Sequence, residues 1–419
     1  MKSVLLAILF TTLAMAARAQ VTNSLDACLE IALANNPDIA AAHSRWEAAL
    51  QKVPQARAWD DPMIGVDTWR RDDQAGAPSQ NGLMVSQTVP WFGKRDLRGR
   101  VEMGAAKRAE MDWRMKTLEV AASVKQSFYD LWQAQRELDV NDRTRELMGQ
   151  FVNAARAQYE TGKASQSDLI RAQNELAKLS EDRIDRLRMR DQALAELNRL
   201  LQRAPETPVE IDSNFAVPVF DPGVTLEQLQ AAAGERPELL GVREGMLRSA
   251  QASLDLAKKG YDPDVQVRVE GWQYEGKNGI PEYDVGVAIN FPWFNHSKYK
   301  AAINEARANL DASRDELDAM RVQTAAEVKK LYDGVHTMHH HYDLYAERLI
   351  PQQRLAVEAA RAAYETGTGR FLDVLDADRM LFDLEMQNLH HAAEFQRLLA
   401  SLEKMVGGRL PMASAEEKK

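Results

Sequence analysis

Apolar and polar positions along the chain follow two different periods. From Gly93 to Thr161 there is no proline, and Val120, Val124, Leu131, Ala134 and Leu138 fall at heptad steps. Such a seam marks a helix packed in a coiled coil. A helix of that length would rise about 100 Å at 1.5 Å per residue, far beyond a globular core. Leu169, Ala172, Leu176 and Leu179 resume the seam after a break, and Val374, Ala377, Leu381, Leu384, Phe395, Leu398 and Leu402 extend it near the C-terminus. Pro351 lies inside the second long helical stretch, where it removes a backbone donor and is expected to kink or break the helix. The other period is two. Val265, Val267 and Val269 alternate with Gln266, Arg268 and Glu270, and Val285, Val287, Ile289 and Phe291 alternate with Gly286, Ala288 and Asn290. A weaker pair runs through Ile64, Val66 and Thr68, then Leu83, Val85, Gln87 and Val89. One apolar face at period two predicts half-buried strands. The joining segments, Asp72 to Asn81 and Glu275 to Glu282, read as loops.

The same order of elements occurs twice. Ala157-Gln-Tyr-Glu-Thr-Gly162 leads into Asp168-Leu-Ile-Arg-Ala172, and Ala362-Ala-Tyr-Glu-Thr-Gly367 leads into Asp373-Val-Leu-Asp-Ala377. Each Thr-Gly step interrupts a helical pattern where glycine tolerates the left-handed backbone that ends a helix, so each copy predicts a helical hairpin. Trp59-Asp-Asp-Pro62 corresponds to Tyr261-Asp-Pro263, and Pro90-Trp-Phe92 recurs as Pro292-Trp-Phe294. Landmarks matched in order imply an internal duplication. Residues 20–204 form the first repeat (helix, two strands, long helical hairpin), 205–224 a Pro-rich linker, 225–406 the second repeat and 407–419 a polar tail expected to be disordered.

Targeting narrows the setting. Lys2 and the apolar run Val4 to Ala17, followed by Ala17-Arg-Ala19, read as a signal peptide over 1–19. No later apolar run reaches the ~18–20 residues of a membrane-spanning helix. Aromatics bracket both strand pairs: Trp59, Trp91 and Phe92 in the first, Tyr261, Trp293 and Phe294 in the second. Export, strand length and aromatic girdles point to a membrane β-barrel wall, the alternative being a soluble β-hairpin flap with edge aromatics. A net charge of −9 disfavours nucleic acid as a partner. Cys28 is the only cysteine, which excludes an intrachain disulfide. Four strands cannot close a barrel, since bacterial single-chain barrels begin at about eight. An open sheet edge in lipid leaves unpaired backbone groups at several kcal/mol each, so several copies are expected to share one barrel.

The duplicated hairpin, the Pro-Trp-Phe junctions and the strand pairs together resemble the TolC-like outer-membrane efflux proteins over about 25–406. The resemblance implies a mainly α fold with a small β part: long coiled-coil hairpins in two repeats plus four transmembrane strands, assembling as a trimeric α-barrel and β-barrel. It implies a passive, non-enzymatic exit duct of a tripartite efflux or type I secretion system, with no cofactor. Its partners would be a periplasmic adaptor (membrane fusion protein), an inner-membrane pump of RND type and outer-membrane lipid. The Pro-Trp-Phe-Gly-Lys junction is also similar to heavy-metal efflux members. By the resemblance Asp373 and Asp376 line the periplasmic entrance, and Asp168, Tyr364 and Arg370 are closing contacts. The turn tips Gly162, Lys163, Gly367 and Thr368 would meet the adaptor. Arg370 stands one residue later after Gly367 than the family pattern expects.

Two other readings remain. His336 and His340 are spaced i, i+4 on a helix and are candidate metal ligands, with no third ligand fixed by spacing. A periplasmic coiled-coil adaptor or scaffold without a pore would show a lipoyl-like, Gly-rich domain between its arms, and the sequence shows none. No His-Glu-x-x-His, Gly-x-Ser-x-Gly or phosphate loop is present.

Overall fold

The computed structural model describes residues 24–69, 80–162, 165–209, 211, 219–220, 224–274, 282–408, 410 and 412–413, with only the backbone at 69, 80, 219–220, 237, 274 and 412–413. The signal peptide over 1–19, the loop tips, Lys163, part of the 205–224 linker and the end of the tail lie outside the described residues.

Each repeat opens with two helices where the hydrophobic pattern predicts one. Helices α1 (Leu25–Asn35) and α2 (Pro37–Arg57) precede strands β1 (Met63–Trp69) and β2 (Gln80–Val89). The reason is Pro37, which has no N–H and pushes Asn36 into extended backbone at φ −71, ψ 121. Asn36 then caps α2, its side-chain oxygen accepting from the N–H of Asp38 at 2.9 Å. The second repeat does the same at Arg236 (φ −77, ψ 118) before Pro237. There α5 (Leu226–Gly234) and α6 (Pro237–Lys258) lead to β4 (Val265–Tyr274) and β5 (Glu282–Ile289). A two-residue strand β3 (Val219–Phe220), from the expected linker, pairs with β6 (Met412–Ala413) in the expected tail.

The long arms follow the seams. Helix α3 (Lys94–Glu160) runs unbroken for 67 residues. It turns at Gly162 into α4 (Gln166–Leu200), which Ser165 caps. In the second repeat α7 (His296–Leu344) passes through one π-helical turn, Tyr345–Leu349, into α8 (Ile350–Glu365). Pro351 sits in the first turn of α8, so the expected interruption falls just ahead of it, where its missing N–H and its ring's clash with the preceding turn cannot be fitted to a regular α ladder. Helix α9 (Phe371–Val406) returns and ends at Gly407, φ 74.

The chain forms two compact units: Met1–Ala40, Lys116–Gly234 and Thr324–Lys419 in one, Ala41–Met115 and Glu235–Gln323 in the other. The first is a helical unit with a core around Phe128, Leu131 and Trp132, joined by Cys28, Leu197, Leu201 and Ala393. Cys28 thus acts as a small buried apolar side chain, and burial raises its thiol pKa. Nearer the turns a second cluster packs Met148, Val152, Ala172 and Leu179 against Phe371 and Leu375. The other unit holds the four-stranded antiparallel sheet in the order β1-β2-β4-β5. The two repeats therefore meet edge to edge, β2 pairing with β4 from Gln80↔Tyr274 to Val89↔Val265.

Candidate functional site

The sheet presents two chemically distinct faces. Directly opposed residues in antiparallel strands share a face. One register row, Ile64–Val85–Val269–Val285, crosses all four strands. The neighbouring row of Val66, Leu83, Gly271 and Tyr283 lies on the same side, as do Val267 and Val287. These aliphatics stand in solvent: Ile64, Val66, Val285 and Val287 are 72%, 74%, 67% and 69% exposed. The opposite face carries Ser86, Arg268, Glu270 and Asp284, with Arg268 within 3.7 Å of Glu270 and 3.5 Å of Asp284. An apolar face outward and a polar face behind it is the alternation of a lipid-facing barrel wall.

The predicted interface aromatics flank this sheet. Phe92 and Phe294, at equivalent places in the two repeats, are 85% and 91% exposed. Trp59 carries Arg95 over its ring at 4.1 Å, and Trp293 packs on Phe291 at 5.8 Å. Trp91 and Tyr261 are half-buried, the latter with its hydroxyl 3.0 Å from His296 Nδ1. Sequence reasoning missed the bond that fastens this junction. Lys94, buried at the start of α3, donates to Asp264 Oδ1 at 2.8 Å and to the Asp262 carbonyl at 2.7 Å, while Trp91 N–H donates to Asp264 at 2.9 Å. The signal was present, since Lys94 closes the Pro-Trp-Phe-Gly-Lys run and Asp264 follows the matched Tyr261-Asp-Pro263.

The hairpin turns match at the glycine and at the threonine before it. Gly162 and Gly367 have φ 73 and 77, and their N–H groups donate to Tyr159 and Tyr364 carbonyls. The hydroxyls of Thr161 and Thr366 both donate to the carbonyl four residues back, at 3.1 and 3.0 Å. Gly162, Gly367 and Thr368 are exposed.

Of the three residues expected as closing contacts, Asp168 and Tyr364 come within electrostatic reach of each other and Arg370 bonds elsewhere. Asp168 accepts from the Ser165 hydroxyl at 2.7 Å as part of the α4 cap. Its charge reaches Tyr364, whose phenol is held above the usual tyrosine range by burial first and by Asp168 second. The Tyr364 hydroxyl is buried and has no hydrogen-bond partner among the described residues. Arg370 instead grips Asp373 on its own helix, Nη2 to Oδ1 at 2.7 Å. That hydrogen bond keeps the Asp373 carboxyl below its ordinary range. Asp376 is exposed on the same helix, with Arg379 3.9 Å away.

The paired histidines expected as ligands are separated by environment. His336 lies 4.4 Å from the Tyr332 ring and has a lowered pKa, from burial first and the nearby His340 second. His340 is exposed. Sequence spacing missed a different pair, His341 and His391, which come together from α7 and α9.

The family described as outer membrane efflux protein matches residues 28–202 and 228–408. The cobalt-zinc-cadmium resistance protein CzcC of Cupriavidus metallidurans is 22% identical over 388 residues, covering 92% of this chain and 90% of the relative. The alkaline protease secretion protein AprF of Pseudomonas aeruginosa is 22% identical over 377 residues, 84% of this chain and 78% of the relative. Among solved structures, CusC superimposes with a TM-score of 0.81 at 20% identity over 93% of both chains. The open-state MtrE outer membrane channel of Neisseria gonorrhoeae gives 0.79 at 17%, over 93% and 90%.

Proposed function

Because the chain belongs to the outer membrane efflux protein family, non-enzymatic channels of the Gram-negative outer membrane with a periplasmic helical extension, we propose that three copies form one exit duct. The observation that carries this reading is the aliphatic row exposed across all four strands. It needs lipid, and the open edges of β1 and β5 need partners. Because neighbouring strands alternate in direction, β5 of one copy can receive β1 of the next as another antiparallel strand, and the ring closes without a break in pattern. A pore-free adaptor would have no use for such a face.

The duct is closed at the hairpin turns. Asp168, Tyr364 and Arg370 form the latch between neighbouring hairpins, and Asp373 and Asp376 make anionic rings that favour cations. Gly162, Lys163, Gly367 and Thr368 meet a periplasmic adaptor that works with an RND-type inner-membrane pump. Adaptor contact untwists the coils, a rigid shift open to packed helices. Tyr364 supports the latch, since its buried hydroxyl has no hydrogen-bond partner among the described residues and already feels Asp168. In planar bilayers the purified protein should conduct ions, and Asp168→Ala or Arg370→Ser should raise the conductance. A protein that stays soluble without detergent and never conducts overturns the duct, while unchanged conductance in both variants overturns only the latch.

The cargo is heavy-metal cations or small toxic molecules. The cobalt-zinc-cadmium resistance role carried in the name of CzcC supports the first. Loss of the gene should raise sensitivity to zinc, cobalt or cadmium in growth assays. Unchanged metal tolerance with increased drug sensitivity would assign the second class.

A further inference from the structure

Six of the chain's eight histidines fall between His336 and His391. Most of them are occupied elsewhere or stand apart. His336 lies against Tyr332, and His339 lies 5.6 Å from Phe395 with Asp343 at 3.4 Å. His341 and His391 are different. They come from separate helices, their ring centroids are 4.9 Å apart, and their planes are perpendicular. Tyr345 and His390 lie 5.0 and 5.9 Å from the His391 ring. His341 is exposed and His391 half-buried. The Nδ1 atom of His391 is shut off from solvent and has no hydrogen-bond partner among the described residues. A polar atom in that state calls for a hydrogen-bonding group or an ion.

We propose that His341 and His391 form a two-imidazole site for a divalent transition cation of the zinc or copper class. Two imidazoles bound to one tetrahedral cation at about 2.0–2.1 Å hold their ring centroids roughly 5 Å apart, which is the separation of this pair. Neutral imidazole suits zinc, copper and nickel. Among the described residues no three His, Cys, Asp or Glu side chains gather into a metal-holding group. Water therefore fills the remaining positions, and the site is an exchangeable one. Structural zinc takes four protein ligands and catalytic zinc three. The position matters as much as the chemistry. His341 lies in the last turn of α7, directly before the π-helical turn Tyr345–Leu349, and His391 is on α9. Here Tyr345 already donates to Gln387 of α9 at 2.5 Å. A cation shared by the two rings adds a tie between α7 and α9 beside that bond, where the helix is least regular.

This site does not depend on the duct reading. It is tested with full-length protein in detergent, purified through a tag that contains no histidine. Zinc chloride titrated calorimetrically should show saturable binding of one ion per chain. His341→Ala and His391→Ala should each weaken it by roughly 10–100-fold or more, since groups that merely orient a metal's histidines are worth that much. His336→Ala should bind as the parent does. Should an alanine variant fail to fold, copper(II) bound to the unaltered chain decides the matter, because its electron spin-echo spectrum counts coordinated imidazoles. Two support the site. One or none, absent saturable zinc binding, or variants that bind as tightly as the parent overturn it.

Discussion

Single residues set the pH behaviour of the helical unit. Glu175 is buried on α4 and hydrogen-bonds Arg379 of α9, which holds its carboxyl below the ordinary glutamate range against the opposing effect of burial. Below the ordinary value, near 4.5, the unfolded chain takes up a proton that the folded chain refuses, so stability rises with pH through that window. The contribution is complete above the ordinary value and disappears as pH falls through the depressed one. Thermal melts between pH 3 and 6 should therefore converge at the acid end for the parent and Glu175→Gln. At neutral pH the variant should be less stable by about 1–2 kcal/mol, less than a fully buried pair because Arg379 is part-exposed. Asp378 pulls the other way. It is buried, and desolvation raises its pKa despite the Arg361 guanidinium at 2.7 Å, so its own contribution falls as pH rises past the ordinary aspartate range.

Elements were legible to different degrees. The seam without proline gave α3, and the residue types at Thr161-Gly162 and Thr366-Gly367 gave both turns, because backbone handedness there is a local property. Pro351 announced the irregular turn ahead of α8 for the same reason. The division of the opening helix at Asn36 was written in Pro37 but was masked by apolar residues that stay in phase across it. Contacts between distant segments were the least legible. The matched motifs mark Lys94 and Asp264 as landmarks without showing that they bond across 170 residues, and nothing in the spacing shows that His341 meets His391. Likewise Arg370, read as a partner for the other hairpin, is engaged by Asp373 three residues on. The Lys94 junction yields its own expectation. Lys94→Ala leaves the Asp264 carboxylate part-buried without its cation, and should lower stability by about 2–3 kcal/mol. Calorimetry of the detergent-solubilised protein reads this as a lower unfolding temperature.

At the scale of the whole molecule, the sheet decides where the protein resides. Val85 sits in the aliphatic row with Ile64, Val269 and Val285. In the proposed barrel arginine there would face hydrocarbon, at a cost of about 2–4 kcal/mol per copy near the bilayer midplane. Val85→Arg should reduce the protein recovered in the outer-membrane fraction and the heat-sensitive oligomer seen on gels. Thr88→Arg, on the opposite face opposite Gln266, should leave both unchanged. Equal recovery of the two variants would remove the lipid-facing assignment of the row.

The pairing of β2 with β4 has an ancestral implication. It joins one repeat to the next by the same antiparallel seam that the proposed ring uses between separate polypeptides. Each repeat is thus a complete tile, and a gene of half this size could tessellate the same wall from twice as many subunits. Fusion of two tiles would leave the architecture untouched while freeing the halves to diverge, as the two return helices do in being capped by Ser165 in one and Arg370 in the other.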